Sequence, residues 1–415
     1  MANIIPNISR EKLALFNDLH DNRAKHWETF SIEDYNFIPS IVEKYAESAH
    51  FIYELIQNAD DALATSATFI VYDDKLIFKH NGKKQFTISK FGDKTGKRGD
   101  INSITGFAFS SKKDDCNTIW KFGVGFKSVY QYTNTPKIYD DKFWFKIENY
   151  IIPTLIESDH ELRKQGETLF EFDYKGDYVK AKNEIINRLH NLNKPTLFLN
   201  NLKVVNWMES GKDNHQYKKE CMYCSSSEGI KYEQCNTNDC GRQNTLYLFH
   251  KDVKVELGIF SISVGYYINN KGEINTLVRP DIHCFFATRE KFDSCFICHA
   301  PFLLTDSRES IKDFENVNHQ FLDEIAKLAA DSLVILKDIS VSKSRRILTD
   351  NVFRIANIKS DEERNQKLRK YYIHKLAKSE IILNRSGRYD KLDNMFFSTQ
   401  KLNKLFSTIQ LTIVR

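Results

Sequence analysis

A chain of 415 residues is too long for one hydrophobic core, so two or three domains are expected. With 41% hydrophobic and 28% charged residues it has the composition of a soluble globular protein, and 16 Gly and 7 Pro leave little for long linkers. The net charge of +5 is the small difference between 60 basic and 55 acidic residues and gives no reason to expect direct nucleic-acid binding; no run approaches the ~18 apolar residues of a membrane span.

In chain order, residues 8–50 read as mostly helical. Ile41, Val42, Tyr45, Ala46 and Ala49 follow one helix face, with Pro39 and Ser40 opening it. A second helix spans residues 50–64. Residues 67–72 and 75–79 read as a hairpin around Asp73 and Asp74. Residues 81–120 are polar and loop-like, interrupted by a short helix near 100–105. A glycine turn at 123–130 opens a helix; strands are expected at 142–147 and 168–172, and an amphipathic helix at 179–192. A domain boundary is placed near residue 195. Residues 196–340 form a second domain of strands, clearest in the alternation at 245–249, followed by a helix at 317–336. Residues 341–415 form a basic, mainly helical segment with an extended piece at 381–384 before Gly387. No internal repeat is present.

Glu54, Asn58 and Asp61 lie at i, i+4, i+7 and share one face of their helix. Such a polar face can simply be solvated. The residue types also suit chemistry, since a carboxylate can orient and deprotonate water and an amide oxygen suits Mg²⁺. About 60 residues later comes K-F-G-V-G-F-K-S at 121–128, where Gly123 and Gly125 let the backbone approach a phosphate ahead of a helix N-terminus. Between the two lie His80-Asn81-Gly82 and Phe86-Thr87, a turn suited to a flat base. Lys112 could bring a cation to the phosphates or be an ordinary loop lysine.

E-L-I-Q-N-A-D-D-A at 54–62, H-N-G-x-x-x-F-T at 80–87 and K-F-G-V-G-F-K-S, in this order, resemble the three motifs of the GHKL superfamily. Within it the chain is most similar to the sacsin-like branch, through W-x-x-F at 27–30, Glu43-Lys44-Tyr45, and looser likenesses at 284–288, 300–310 and 381–389. The resemblance implies an α/β (α+β sandwich) fold: a Bergerat-type ATP-binding domain at 1–195 with helices on one face of a mixed sheet, an α+β middle domain at 196–340, and a C-terminal segment at 341–415. It also implies roles. Glu54 matches the general base and Asn58 the Mg²⁺ ligand. Asp61 lies near the nucleotide. His80, Asn81 and Gly82 form the base-pocket turn. Gly123, Val124, Gly125 and Phe126 cradle phosphate, with Lys127 next in the motif. Thr168 assists base binding, and Arg308 reaches the γ-phosphate from the second domain.

Two positions depart from the family pattern. His80 replaces the aspartate that accepts the adenine amine; a neutral imidazole nitrogen can still accept that bond. Trp120 replaces the first glycine of the phosphate turn. The spacing Cys221-x2-Cys224-x10-Cys235-x4-Cys240 is compatible with a structural zinc ion in an insertion at 221–240, or with four unrelated loop cysteines. Cys295-x2-Cys298-His299 lies in an apolar run and reads as core.

The resulting expectation is a cytoplasmic, Mg²⁺-dependent ATPase. It would act as an ATP-driven conformational switch, chaperone-like or part of a bacterial antiviral defence assembly, with a protein partner or client and ATP-dependent self-association. The alternative is a nucleotide-binding regulatory module with little hydrolysis. A DNA-processing relative of gyrase fits the charge poorly, and no phosphoacceptor-histidine helix precedes the ATP motifs.

Overall fold

The computed structural model describes residues 8–29, 51–93, 98–106, 126–305, 310–349, 351–384 and 386–395. The architecture is mixed α/β. The chain divides into two compact units, one of Met1–Glu220, Thr237–Gln243 and Asp306–Arg308, the other of Cys221–Asn236, Asn244–Thr305 and Glu309–Arg415.

The first unit opens with α1 (Arg10–Thr29), which buries Phe16, Leu19 and Arg23. Next come α2 (Phe51–Asp61) and the expected hairpin of β1 (Ser66–Val71) and β2 (Lys75–His80), registered from Ala67↔His80 to Val71↔Leu76. The short helix α3 (Asp100–Ile104) follows. After a 3-10 turn at Phe126–Gln131 come β3 (Lys137–Tyr139), β4 (Trp144–Glu148), β5 (Ile152–Leu155) and β6 (Thr168–Asp173). Asp177 caps α4 (Tyr178–His190) by accepting from Lys180 N at 3.0 Å. The strands β7 (Val204–Glu209), β1, β2, β6, β3, β4 and β5 are hydrogen-bonded in that order. Only the β1–β7 contact among these is parallel, and a parallel return needs a long crossover. Residue 195 lies before β7, so the first unit's sheet is completed by a strand beyond that sequence boundary.

The chain leaves the first unit through β8 (Asn214–Ser227), whose early part pairs with β7, and β9 (Ile230–Asp239). In the second unit, β10 (Arg242–Val255) and β11 (Gly258–Ile268) form a long antiparallel pair. β12 (Asp281–Cys284) and β13 (Phe286–Lys291) pair with each other, and β14 (Phe296–His299) lies between β11 and β12. Helix α5 (Asn316–Ser342) runs past the expected end at residue 336 and packs on β11. Its stripe of Phe321, Ile325, Leu328, Leu333, Leu336 and Ile339 stays apolar to the end. The short α6 (Val352–Ile355) precedes α7 (Glu363–Lys378), which packs on α5. The extended piece expected before Gly387 is β15 (Ile382–Leu383), paired with β16 (Tyr389–Asp390) across a turn in which Gly387 has φ 80°. No described helix is long and apolar enough to cross a membrane.

Candidate functional site

Helix α2 is amphipathic: Phe51, Ile52, Leu55, Ile56 and Ala59 are buried, and of its polar residues Glu54, Gln57 and Asp60 are buried as well. Glu54 is buried with them at 9% exposure, although a helix with a merely solvated polar face would leave its carboxylate in water. Asn58, one turn on, is half-buried, and its side-chain amide makes no hydrogen bond among the described residues. Asp61 ends the helix with its side chain largely at the surface; partial desolvation of its carboxyl and then the charge of Asp60 push it up to about 6 against the pull of Lys84. The shared face read from the sequence therefore grades from a buried acid to an exposed one.

Asp60 was not singled out by the sequence pattern, yet it anchors the helix. Its carboxylate accepts from the backbone N–H groups of Asn200 (3.1 Å), Asn201 (2.6 Å) and Leu202 (2.8 Å). No local signal reveals this, because the three donors lie 140 residues or more away in sequence.

The structure brings His80 and Thr168 together. They are directly paired on β2 and β6, with 5% and 2% exposure. Phe126, from the end of the phosphate-turn motif, packs on Phe170 two residues from Thr168, with ring centroids 6.2 Å apart. The His80 ring also lies 6.2 Å from Phe170. Gly82 is required by close approach: a Cβ there would meet Ala62 Cβ and His80 Nδ1, each at 2.8 Å. This contact fixes the H-N-G turn against the end of α2. Asn81 braces the hairpin instead, since its Oδ1 accepts from the backbone N–H groups of Thr65 and Ser66, both at 2.9 Å.

One expectation about His80 changes. Gly82 N–H donates to His80 Nδ1 at 3.1 Å, and an amide nitrogen can only donate. Burial pulls the ring down to about 4, so it is neutral, and its proton must sit on Nε2. The acceptor that the sequence reading left for adenine is thus occupied by Gly82, and the remaining ring nitrogen is a donor.

The polar loop is pinned to this frame. Phe86 N donates to Asp140 at 2.8 Å. Thr87 N and Oγ1 donate to Asp100 at 3.0 and 2.6 Å, and Ser89 N donates to Asn102 Oδ1 at 2.9 Å. Lys127 turns inward: it is buried, and Nζ donates to Tyr150 O at 2.5 Å. Burial, then Arg23 and Arg98, bring it down to about 7. Lys112, Gly123, Val124, Gly125 and Arg308, as well as Trp120, lie outside the described residues.

The four cysteines of the spaced pattern lie on or next to two adjacent strands. Cys221 and Cys224 sit on the regular strand β8, where an odd spacing of three sends side chains to opposite faces. Cys235 is buried on β9, and Cys240 follows that strand with φ 50°. Among the described residues, no group of three or more His, Cys, Asp or Glu side chains could hold a metal ion. The excursion expected at 221–240 is made of β8 and β9 joined by a turn at Glu228 and Gly229, with a second turn at Cys240 and Gly241. Cys295 and Cys298 are buried as expected, and burial raises both thiols.

Comparison with known proteins points the same way as the motifs. The Sacsin domain family model matches residues 34–148, a span that contains Glu54, Asn58, Asp61, the H-N-G turn, Lys112 and residues 123–127 but not Thr168 or Arg308. The chain is 23% identical to Protein NO VEIN of Arabidopsis thaliana over 333 residues, covering 70% of this chain and 11% of that protein. It is 32% identical to Sacsin of Homo sapiens over 114 residues, covering 25% of this chain and 2% of that protein. The chain thus spans a small fraction of the length of either relative. These likenesses bear out the sacsin part of the sequence reading.

Proposed function

We propose that the first unit is a GHKL-type, Bergerat-fold nucleotide site that binds and hydrolyses ATP, and that the cycle drives a chaperone-like conformational switch acting on a protein partner. The observation that carries this reading is the burial of Glu54 among the apolar side chains of α2, one turn from an uncommitted Asn58, in the segment matched by the Sacsin domain. A buried carboxylate is costly to keep and is expected where it has chemistry to perform.

Glu54 takes the proton of the attacking water as general base. Asn58 offers the oxygen through which Mg²⁺ would be held, and the ion would supply charge neutralisation at the phosphates. His80 and Thr168 form the polar floor against which the base lies. The backbone of 123–126, with Lys112 and Arg308, is assigned to the phosphates on the motif alone. A protein client and ATP-dependent self-association belong to the same proposal. Steady-state phosphate release by the wild type and by Glu54→Ala tests it: equal rates would remove hydrolysis from the function.

His80 favours a second reading, a nucleotide-binding regulatory module with little turnover, because a donor stands where the family has an acceptor. Calorimetry with ATP and with a non-hydrolysable analogue separates the two. Tight binding of both without phosphate release selects the regulatory module.

A further inference from the structure

Two guanidinium groups of the first unit meet on one carbonyl, and Lys127 lies near enough for both to lower it. Arg23 of α1 is 8% exposed and extends Nη2 to Asn102 O at 3.4 Å. Arg98 donates from its own Nη2 to the same oxygen at 2.7 Å. One carbonyl therefore holds two guanidinium groups side by side. Lys127, also 8% exposed, has Tyr150 O and the face of Tyr130, 5.5 Å away, for company. Among the described residues, no acid forms an ion pair with any of the three. Arg23 Nε is fully buried and has no hydrogen-bond partner among the described residues, while its guanidinium lies 5.5 Å from the Phe91 ring centre.

Buried charges are normally paired, since desolvation of an ion is recovered only through a counter-charge and hydrogen bonds. Here the charges repel instead. Arg23 is brought down to about 10 by burial and then by Arg98, and Lys127 is lowered by burial, Arg23 and Arg98. The arrangement is nevertheless built in. Gly106 leaves room for it, because a Cβ at that position would lie 2.2 Å from Arg98 Nη2. Arg98 is exposed, so the cluster can be reached from solvent.

We propose that Arg23, Arg98 and Lys127 form a phosphate-binding subsite. Paired guanidinium groups match the geometry of phosphoryl oxygens, and a lysine adds a third cation. An arriving phosphate would supply the counter-charge that the fold leaves out. Nucleotide-borne and free phosphate share this chemistry, and the two sources are separated by experiment. Through Lys127, which belongs to the phosphate-turn motif, the inference rests on the proposed nucleotide reading; Arg23 and Arg98 lie outside every motif and extend it.

Isothermal titration of the full 415-residue chain with inorganic phosphate, pyrophosphate and ATP tests the subsite, using the wild type, Arg23→Gln, Arg98→Gln and Gly106→Ala. We expect each substitution to weaken binding about ten-fold or more, as loss of a charge-assisted contact does. The ligand-free melting temperature of the two Gln variants should hold or rise, because repulsion is relieved; a structural role would lower it. Gly106→Ala retains every charge and should weaken binding by displacing Arg98. Loss of ATP affinity alone identifies the phosphate as nucleotide-borne. Weakened pyrophosphate binding in a protein that ignores ATP supports the subsite and defeats the nucleotide reading. Unchanged affinity, in all three variants, for every one of these ligands that the wild type binds overturns the subsite, and where ATP is among them it leaves the nucleotide reading standing. Failure of all three ligands to bind the wild type also overturns it. Arg98 is at the surface, so its variant keeps the test decisive if Arg23→Gln fails to fold.

Discussion

In the second unit, Tyr266 donates its hydroxyl to Ala329 O at 2.9 Å, with Tyr372 Oη 3.2 Å and Ser332 Oγ 3.3 Å away. Asn318, 1% exposed, donates to Leu303 O and Lys312 O at 2.8 and 3.0 Å and accepts from Leu303 N at 2.8 Å. In the first unit, by contrast, His80 keeps a ring N–H with no partner among the described residues, Asn58 keeps an uncommitted amide, and three cations face one another. Both units bury polar groups against a sheet. The two second-unit networks around Tyr266 and Asn318 close internally; the first unit leaves the Asn58 amide, a His80 N–H and Arg23 Nε unmatched among the described residues. Open hydrogen-bonding capacity inside a packed fold is where a ligand is expected.

The contrast is most sharply tested by paired substitutions. Glu54→Gln should lower phosphate release by about a hundred-fold or more, with ATP affinity changed only a few-fold, since a general base acts in the chemical step. Asn318→Ala in the second unit should behave oppositely. It removes three part-buried hydrogen bonds, to Leu303 N, Leu303 O and Lys312 O, and should lower stability by about 1–3 kcal/mol, read as a fall in the denaturation midpoint. If Asn318→Ala instead spared stability and abolished phosphate release, the comparison would fail.

Lys127→Met should stabilise the ligand-free protein by about 1–3 kcal/mol below pH 7, because it removes a buried, repelled charge. The sign follows from its position, lowered from 10.5 to about 7 in the folded chain. Between those values the unfolded chain holds a proton that the folded chain lacks, so stability rises with pH across the window. Below about 7 both states are protonated and the penalty is full. The benefit of Lys127→Met should therefore shrink as pH rises from 7 towards 10.5, and thermal melts across that range would show it. A benefit independent of pH would mean that Lys127 acts through packing alone.

The smallest effect concerns the base. With Nε2–H as the free donor, His80 suits a 6-oxopurine better than adenine, which presents an amine there. Inosine triphosphate should bind a few-fold tighter than ATP, and His80→Asp should reverse the order, each by about 1 kcal/mol. Competition binding of the two nucleotides measures both. The same order in the wild type and in His80→Asp would show that this ring does not read the base.

Local patterns were enough to place α2, the β1–β2 hairpin, α4 and the grouping of Glu54, Asn58 and Asp61, because periodicity and turn chemistry act over a few residues. The motif likeness identified the sacsin relation and named His80, Gly82 and Thr168 as candidate site residues. Three features lay beyond that range. Strand β7 joins the first unit by parallel pairing with β1. Asp60 binds backbone groups at 200–202. Arg23 meets Arg98 on the carbonyl of Asn102. The cysteine spacing suggested a knuckle because ligand spacing carries no information on whether the intervening chain turns or extends; here it extends as β8 and β9.

The sequence by itself determined which residues could do chemistry on α2 and in the H-N-G turn, since residue type and helical spacing are local properties. The tertiary structure alone decided how they are poised. Burial placed Glu54 on the packed face of α2, and a single amide hydrogen bond made His80 a donor. Packing placed three cations together without a counter-charge among the described residues. Desolvation, tautomer and charge pairing depend on neighbours distant in the chain, and only the folded protein brings those neighbours into place.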